Sequence, residues 1–372
     1  MKIGYDAKRA LNNNSGLGNY SRYIIYSADK FSDHELFLFS PKAEQRHLND
    51  LNKLPSVRFV TPKFSNKLYG TYWRSFGQVK DIEKLKLDVF HGLSNELPLS
   101  IKKSSVAKVV TIHDLIFLRY PSLYKPLDRK IYNKKFRQAC EDADTIIAIS
   151  EQTKRDILHY YQIDESKIEV IYQDCDEQFH TQPSIRKVDE VKKKYYLPTQ
   201  FLLSVGTIEE RKNQLLLLKA MKDIRDIPLV LVGRSTPYQN ELQAFIEQNG
   251  LQKRVMFINN VEFSDLPAIY CLAEIFVYPS IFEGFGIPII EAQNLSTPVV
   301  TSTGSCFAET GGDAALYSDP RKEKELAESI NRILLDKELK ESLITAGLKN
   351  VSRFRADVTF KQLDKVYKNL VG

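Results

Sequence analysis

Short apolar runs alternate with longer segments of helical period along this chain, and the alternation occurs in two separate series. This rhythm constrains the fold most, because apolar strands separated by helices are typical of a parallel sheet covered on both faces. In the first series, strands are predicted at residues 2–5, 35–39, 57–60, 88–90, 108–112, 145–149 and 169–172. Helices of this series are predicted at residues 18–30, 127–140 and 151–161.

A polar, lysine-rich segment at residues 174–199, which contains Pro183 and Pro198, interrupts the rhythm and is interpreted as a linker with an entry helix. The second series then predicts strands at residues 201–205, 229–232, 255–258, 275–278 and 299–301. Helices of the second series are predicted at residues 214–221, 326–335 and 337–349.

The 372 residues are sufficient for two domains of ordinary size. We predict an α/β protein with two Rossmann-like, doubly wound domains, an N-terminal one over residues 1–180 and a C-terminal one over residues 181–355. A last helix, over residues 356–372, is expected to pack back on the N-terminal domain. Ligands of open α/β sheets bind outside the carboxyl ends of the strands, so we expect the site in a deep cleft where the two domains face each other.

The cysteine pattern indicates a reducing compartment. The chain has four cysteines, Cys140, Cys175, Cys271 and Cys306. They lie far apart in the sequence and form no C-x-x-C pair, which argues against a disulfide scaffold and against a zinc site. The first residues read as a strand rather than as the apolar core of a signal peptide, and no uncharged apolar stretch approaches about 18 residues. We therefore expect a cytoplasmic protein that does not span a membrane.

The net charge of +6 is modest and lies almost entirely within residues 1–180. It is too weak to indicate a nucleic-acid partner, but it would favour an anionic substrate or peripheral contact with an anionic inner membrane face. One predicted helix combines aromatic and basic residues: Lys67, Tyr69, Tyr72, Trp73, Arg74, Phe76 and Lys80. A second basic segment covers residues 125–137. Each segment fits either a membrane-facing surface or an aromatic core stripe beside a solvated charged face.

The most informative motif is P-S-I-F-E-G-F-G-I-P-I-I-E at residues 279–291, between a predicted strand and a predicted helix. Gly284 and Gly286 allow close approach of the backbone to a ligand, and Pro288 suits the first turn of a helix. Free N–H groups at that turn would attract an anion. Glu283 on the loop and Glu291 on the helix could accept hydrogen bonds from the hydroxyl groups of two sugars in one molecule. The glutamates alone would also fit a solvated loop, whereas the surrounding residues favour a binding site.

A second motif, S-V-G-T-I-E-E-R-K-N at residues 204–213, follows another predicted strand. The strand ends at Gly206, and Arg211 and Lys212 lie in the loop before the next helix. An arginine clasps phosphate with two donors and a lysine adds a point charge, so this pair could hold a diphosphate. The same two residues would also fit a solvated basic turn.

Together the two motifs resemble the signature of retaining glycosyltransferase family 4, whose members have the GT-B fold. Further segments that fit are Y-D-A-K-R-A-L-N-N-N-S-G-L-G-N-Y-S-R-Y-I near the N-terminus, T-I-H-D-L-I-F-L-R-Y-P, A-I-S-E-Q-T-K-R-D-I and P-V-V-T-S-T-G-S-C-F-A-E-T-G-G-D-A-A-L-Y-S-D-P. The chain departs from the family at Asn19, where many members have arginine, and at Ala308, where a proline is common. The subgroup that it most resembles uses GDP-mannose in surface-polysaccharide or lipopolysaccharide assembly.

The resemblance implies a role for individual residues. The acceptor would bind the N-terminal domain and the nucleotide-sugar donor the C-terminal domain. Arg211 and Lys212 would hold the donor diphosphate, Glu283 would orient the hexose, and Glu291 would bind the ribose. His113 would touch the transferred sugar near the reacting centre, with Asp114 supporting its loop. The donor-binding set is completed by the backbone at Gly16, Gly18, Gly206, Gly284, Phe285 and Gly286.

The resemblance also implies a retaining, metal-independent hexosyltransferase without a cofactor, whose co-substrate is best assigned as GDP-mannose and whose acceptor is a glycan or a lipid-linked oligosaccharide. A UDP-sugar donor (glucose, galactose or N-acetylglucosamine) is the alternative. Two D-x-D sequences, at residues 142–144 and 174–176, look like those of metal-using transferases. We interpret the first as a helix end and the second as part of the linker.

Three other classes of function fit the sequence less well. A nucleotide-sugar epimerase of GT-B fold would share the sheets and the cleft, but the E-G-F-G…E pattern argues against it. A Rossmann oxidoreductase would require G-x-G-x-x-G and an acidic residue about 20 positions later, and here Gly16 and Gly18 are followed by Tyr20 and Arg22. A non-catalytic sugar-binding module would not need the intact set of two cations and two glutamates.

Overall fold

The computed structural model describes residues 1–13, 16–42, 45–64 and 66–372. The chain divides into two compact units. The first unit combines Met1–Asp174 with Phe354–Gly372, and the second comprises Cys175–Arg353. Ser15, which precedes the predicted Gly16-Leu-Gly18 turn, lies outside the described residues.

The first unit is built on a seven-stranded sheet in which every strand pair is parallel. Its strands are β1 (Lys2–Asp6), β2 (Glu35–Phe39), β3 (Val57–Val60), β4 (Val89–Gly92), β5 (Ala107–Ile112), β6 (Thr145–Ala148) and β7 (Ile168–Val170). The spatial order is β3-β2-β1-β4-β5-β6-β7, so the winding direction reverses between β1 and β4. This reversal defines a doubly wound sheet.

Nine α-helices of the described residues surround this sheet. They are α1 (Lys8–Asn12), α2 (Gly16–Phe31), α3 (Gln45–Leu51), α4 (Lys67–Tyr72), α5 (Gln78–Leu85), α6 (Ile116–Arg119), α7 (Pro126–Asp142), α8 (Glu151–Tyr161) and, from the C-terminal segment, α17 (Ala356–Val371). The first unit buries aromatic and branched side chains of the central strands, such as Phe39, Phe90 and Ile112, against the helices.

The C-terminal helix α17 belongs to the first unit, where its side chains bond to distant elements. Tyr367 is fully buried, and its hydroxyl lies 2.6 Å from Nδ1 of His91 on β4. Asp364 pairs with His34 at 2.7 Å. These contacts attach the last helix to residues that precede its own by 276 and 330 positions.

The second unit contains a six-stranded, wholly parallel sheet. Its strands are β8 (Leu202–Val205), β9 (Leu229–Val232), β10 (Val255–Ile258), β11 (Ile275–Tyr278), β12 (Val299–Ser302) and β13 (Ala315–Ser318). The spatial order is β10-β9-β8-β11-β12-β13, which reverses between β8 and β11.

The helices of the second unit are α9 (Ile185–Lys194), α10 (Gln214–Ala220), α11 (Tyr238–Gln248), α12 (Leu266–Leu272), α13 (Ile287–Asn294), α14 (Phe307–Gly311), α15 (Glu323–Leu335) and α16 (Lys337–Asn350). The apolar core includes Leu217 of α10, Leu231 of β9 and Ile330 of α15, all fully buried. Both faces of the sheet are therefore covered, as the near-continuous apolar strands require.

Two doubly wound α/β domains were predicted, and this fold class is confirmed. Most predicted strands agree within one or two residues, but β13 was missed because its sequence, A-L-Y-S, is short and only partly apolar. The predicted single helix around residues 67–80 is present as a continuous helical run from Lys67 to Leu85, but it is not regular α-helix throughout. A π-helical turn, Trp73–Gly77, separates α4 from α5 there. Among the helices of the described residues, none combines the length and the apolar character that a bilayer crossing requires.

Candidate functional site

The two motifs of the second unit meet at the carboxyl edge of its sheet. Strands β8 and β11 are paired neighbours, with Ile275 opposite Leu202. The loops that follow them, residues 206–213 and 279–286, therefore lie side by side at the point where the winding reverses. The main chain joins them directly, because Ile281 donates its N–H to the carbonyl of Arg211 at 2.9 Å.

Glu283 lies between the two predicted cations. One carboxylate oxygen, Oε2, is 2.6 Å from Arg211, and the other, Oε1, is 2.7 Å from Nζ of Lys212. Burial opposes ionisation of Glu283, but Lys212 and Arg211 outweigh it and lower the pKa of the carboxyl to about 2. The side chain is therefore a carboxylate at neutral pH, and the structure brings three of the predicted site residues into one ion-pair cluster.

Arg211 is fixed by more than Glu283. Its guanidinium also donates to the carbonyl of Phe282 at 2.8 Å and pairs with Glu209 at 2.6 Å. Burial by itself would lower the pKa of Arg211, but the charges of Glu283 and Glu209 raise it. Such a planar, multiply bonded guanidinium is pre-oriented for an oxyanion.

Lys212 also contacts a residue that the sequence analysis did not select. Its Nζ is 2.8 Å from the hydroxyl of Tyr278 and 5.0 Å from the centre of the same ring. Tyr278 is the last residue of β11 and is buried; burial and the charge of Glu283 raise the pKa of its hydroxyl. The hydroxyl therefore stays protonated beside the cation.

Gly206 requires a glycine because its φ is +148°. A side chain there would also lie 3.3 Å from Cε of Lys212. Gly233, at the end of β9, was not predicted, and a Cβ at that position would lie 1.7 Å from the carbonyl oxygen of Gly206. The two glycines thus let the loop after β8 pack closely on the neighbouring strand.

The E-G-F-G segment forms a bend that leads into α13. Gly286 has a φ of +99° and immediately precedes the helix, and Pro288 lies in the first helical turn as predicted. The ring of Phe285 is buried, and the main-chain carbonyl oxygen of this residue accepts hydrogen bonds from Cys306 and Thr310. Gly284 lies between these fixed positions, so the backbone of the whole segment is tightly held.

Glu291 lies on α13 and bonds to a different partner. Its Oε2 accepts a hydrogen bond of 2.8 Å from the hydroxyl of Tyr270 on α12. Burial raises the pKa of Glu291 to about 7, although the Tyr270 hydrogen bond acts in the opposite direction. Glu291 therefore titrates near neutral pH, in contrast to Glu283.

In the first unit, His113 follows β5 and is held by neutral partners. Its Nε2 lies 2.9 Å from the carbonyl of Leu93, and its main-chain N–H donates to Asn95 at 2.7 Å. Since a carbonyl only accepts, Nε2 carries the proton and Nδ1 is an acceptor. Burial lowers the pKa of His113 to about 4, so the imidazole is neutral. The ring packs edge-to-face on Tyr20, 4.7 Å between centroids.

Tyr20 belongs to a buried hydrogen-bond network. Its hydroxyl lies 3.0 Å from Oγ1 of Thr111, which is also 2.8 Å from Nε2 of His91. Burial lowers the pKa of His91 to about 3. Through His91 the network reaches Tyr367 of α17. We refer to Tyr20, His91, Thr111 and Tyr367 as the tyrosine–histidine network.

The remaining predicted residues of the first unit lie near turns. Gly16 is the first residue of α2, and a Cβ at this position would have no atom within 4 Å outside its immediate chain neighbours and its own helix. A Cβ on Gly18 would lie 1.9 Å from the carbonyl oxygen of Asn13, so this position tolerates only glycine. Asp114 accepts a hydrogen bond from the N–H of Ile116 at 3.1 Å, which stabilises the start of α6.

The aromatic and basic segment divides between core and surface. Trp73 is buried and donates to Asp81 at 2.8 Å, and Arg74 is paired with Asp6 and Glu96 at 2.6 and 2.7 Å. These two residues are therefore not part of an open surface. The exposed apolar residues of the segment and of α7 are Leu68, Tyr72, Phe76, Leu127, Ile131 and Tyr132.

Each aspartate of the two D-x-D sequences accepts a hydrogen bond within its own unit. In the first pair, Asp142 accepts from Gln138, and Asp144 accepts from the main chain of Lys108 at 2.8 Å. In the second pair, Asp174 accepts from the N–H of Ala356 and Asp176 from that of Gln178, both at 3.1 Å. All four therefore fix helix ends or strand starts.

Comparison with known proteins identifies the family. Residues 186–350 match the family model of glycosyl transferases group 1, and residues 15–177 match that of Glycosyltransferase Family 4. An O-antigen chain mannosyltransferase of Salmonella typhimurium is 31% identical over 71% of this chain and 68% of its own length. The chain belongs to glycosyltransferase family 4.

Two further similarities agree with this membership. O-antigen chain mannosyltransferase B of Escherichia coli is 29% identical over 76% of this chain and 74% of its own length. HepE of Anabaena, crystallised in complex with UDP-glucose, matches with a TM-score of 0.78 and 18% identity over 99% of this chain and 100% of its own. The HepE match concerns the fold, which is that of a glycosyltransferase with two Rossmann-like domains.

Proposed function

We propose that this glycosyltransferase is a retaining enzyme that transfers mannose from GDP-mannose to a glycan or lipid-linked oligosaccharide during synthesis of a cell-surface polysaccharide. The observation that carries the proposal is the cluster of Arg211, Lys212 and Glu283 at the carboxyl edge of the second sheet. The choice of mannose is supported by the two relatives, which are named O-antigen chain mannosyltransferases.

The chemistry proposed for the cluster is stabilisation of a leaving group. When the bond between sugar and diphosphate breaks, negative charge develops on the diphosphate, and two fixed cations in a poorly hydrated site stabilise that charge. Before the donor binds, the carboxylate of Glu283 occupies both cations and keeps them oriented. The donor diphosphate would take over part of these interactions, and Glu283 would then be available to hydroxyl groups of the hexose.

Glu291 is proposed to bind the ribose. A carboxylate accepts hydrogen bonds from two adjacent hydroxyls, whereas the protonated form loses part of that capacity. The pKa of about 7 means that the acceptor form predominates only above neutral pH. The hydrogen bond from Tyr270 fixes the direction of the carboxyl group.

His113 is proposed to contact the transferred sugar as a neutral hydrogen-bond acceptor. Its Nε2–H is bound to Leu93, so Nδ1 is the atom that could accept from a sugar hydroxyl. With its pKa lowered to about 4, the imidazole is a weak base and is not suited to remove a proton at neutral pH. The acceptor proton would instead pass to the leaving phosphate.

Retention of configuration and independence of metal ions are parts of the same proposal. Arg211 and Lys212 supply the positive charge that a divalent cation supplies in metal-using transferases, so no cofactor is required. The acceptor hydroxyl would attack from the face that the diphosphate leaves. Anomeric analysis of the product by NMR, and turnover in excess EDTA, test these two points independently.

Peripheral contact with an anionic membrane is proposed for the first unit. Exposed Leu127 and Ile131 lie on α7 together with exposed Lys130 and Lys134. Apolar side chains among lysines suit the headgroup region of a bilayer, where a lipid-linked acceptor would be found.

A donor panel tests the proposed function. The full-length protein is given GDP-mannose, GDP-fucose, UDP-glucose, UDP-N-acetylglucosamine and UDP-galactose, and both thermal shift and sugar release are measured. A ligand that binds only the folded protein raises its melting temperature, so the true donor gives the largest shift. GDP-mannose is expected to give the largest shift and the fastest turnover. Stronger binding and turnover with any UDP-sugar would refute the assignment of the donor.

A further inference from the structure

The loop between β12 and α14 contains an unusual backbone conformation. Ser305 has a φ of +49° and follows Gly304, whose φ is +78°. Left-handed backbone is costly for residues other than glycine, and serine is not among those that adopt it most readily. Strain of this kind persists only where surrounding contacts hold the residue in place.

Ser305 makes two hydrogen bonds to one residue of the candidate site. Its Oγ accepts from the main-chain N–H of Glu283 at 3.1 Å and donates to the carbonyl of Glu283 at 3.0 Å. One hydroxyl can do both, because it has one donor and two acceptor positions. The single side chain therefore fixes both main-chain polar groups of Glu283.

The next turn fixes the same segment from a second side. The thiol of Cys306 donates to the carbonyl of Phe285 at 2.9 Å, and Thr310 donates to the same oxygen. Cys306 is fully buried, and burial raises the pKa of its thiol far above the usual range. The thiol is therefore a permanent hydrogen-bond donor and not a nucleophile.

We propose that Ser305 is a positioning residue for the transfer reaction, which holds the main chain of Glu283 so that the carboxylate lies between Arg211 and Lys212 and is aimed at the hexose. Cys306 and Thr310 support it by holding Phe285. The inference rests on the proposed function of Glu283. Its physical basis is that small displacements of a group that orients a substrate reduce the rate strongly.

The alternative role for Ser305 is purely structural, and two variants separate the roles. Ser305→Ala removes the hydroxyl and keeps the strained backbone, whereas Ser305→Gly removes the hydroxyl and relieves the strain. A structural role predicts that the glycine variant is the more stable and the more active of the two. A positioning role predicts equal loss of activity in both, whatever their stability.

The experiment uses the full-length protein, with the donor that the wild type turns over fastest in the panel. Both variants are expected to lower kcat about tenfold, while the Kd for GDP stays within twofold of the wild-type value, because Arg211 and Lys212 remain. Thr303→Ala is the matched control, since Thr303 is an exposed residue of the same loop. The control is expected to keep wild-type kcat.

Hydrogen exchange of the Glu283 amide tests the hydrogen bonds with Ser305 in the absence of a nucleotide sugar. Exchange is expected to be at least tenfold faster in both variants and unchanged in Thr303→Ala, whether or not the proposed donor is correct. Unchanged exchange at Glu283 would overturn the inference, as would wild-type kcat in Ser305→Gly or equal losses of GDP binding and kcat. A wild-type protein that turns over none of the donors would instead refute the proposed function.

Discussion

The two units present different kinds of chemistry at the positions that the sequence marked. In the second unit, Arg211, Lys212 and Glu283 form a cluster of full charges, in which the two cations lower the pKa of Glu283 and Glu283 raises that of Arg211. In the first unit, His113 is neutral and is held by a carbonyl group and an aromatic ring. Arg211, Lys212 and Glu283 thus offer fixed charges to a ligand, whereas His113 offers shape and a neutral hydrogen-bonding ring.

This difference also explains which site residues can be recognised from the sequence alone. The charged residues belong to two local motifs, and the pairing of β8 with β11 brings the motifs together without further requirements. The tyrosine–histidine network, in contrast, joins residues of α2, β4, β5 and α17. No local pattern marks residues that become partners only when the chain is folded.

The largest effect is expected from loss of a cation. Arg211→Ala and Lys212→Ala should each lower kcat about 10²–10³-fold, by analogy with the removal of one oxyanion donor. Steady-state kinetics with the preferred donor measure this effect. Lys253→Ala, an exposed lysine of the same unit, is the control and should be neutral. A loss of less than fivefold in both variants would show that the charged cluster is not the catalytic part of the second unit.

A smaller effect is expected from the network of the first unit. Thr111→Val removes the shared partner of Tyr20 and His91 and leaves two buried polar groups without that bond, which costs about 1–3 kcal/mol of folding free energy for each group. Urea denaturation measures this loss, and Thr111→Ser should retain most of the stability. Since no charge is involved, kcat of the folded variant should fall less than tenfold. A fall comparable to that of Arg211→Ala would abolish the distinction between the two units.

Glu291 should make donor binding depend on pH. The protonated acid loses part of the acceptor capacity that the carboxylate offers to two hydroxyls, so donor affinity should fall as pH drops below about 7, by up to tenfold per unit. Isothermal titration between pH 5.5 and 8.5 measures this dependence, which Glu291→Gln should remove. The same raised pKa means that the folded state favours the neutral acid, so this contribution to stability is present below pH 4.5 and is lost as pH rises through 7. A flat affinity profile in the wild type would contradict the proposed role in ribose binding.

The smallest effect concerns the surface of the first unit. Lys130→Glu with Lys134→Glu should reduce co-sedimentation with anionic liposomes severalfold, because basic residues near an anionic surface are attracted to it and acidic residues are repelled. Lys135 is not included, since it is 3.3 Å from Glu96 and contributes to an ion pair. Liposomes of neutral lipid provide the control. Equal sedimentation of variant and wild type would refute membrane contact through α7.

Much of the fold could be predicted from the sequence, because apolar runs and helical periods are local properties. The strand before the E-G-F-G segment, the helix after it and the position of Pro288 in that helix, α13, are examples. The π-helical turn was not predictable in this way. Its backbone brings Arg74 to Asp6 and Glu96, contacts that lie 68 and 22 residues away in sequence.

The supporting residues of the candidate site were largely missed. Tyr278, Tyr270 and Ser305 look like ordinary residues of a strand, a helix and a loop, and each has a role only through a partner from another element. Asn213 could have been noticed, because asparagine tolerates left-handed backbone. It has a φ of +59° and donates to the carbonyls of Pro279 and Pro320. Its place directly after Arg211 and Lys212 was the available signal.

The most direct measurement compares the binding of GDP and GMP to the wild type and to a protein that carries both Arg211→Ala and Lys212→Ala. The two ligands differ by one phosphate, so the ratio of their Kd values isolates the contribution of the second phosphate of the diphosphate. We predict a ratio of at least tenfold in the wild type and close to one in the double variant. A ratio that the double variant leaves unchanged would contradict the claim that these two cations hold the diphosphate.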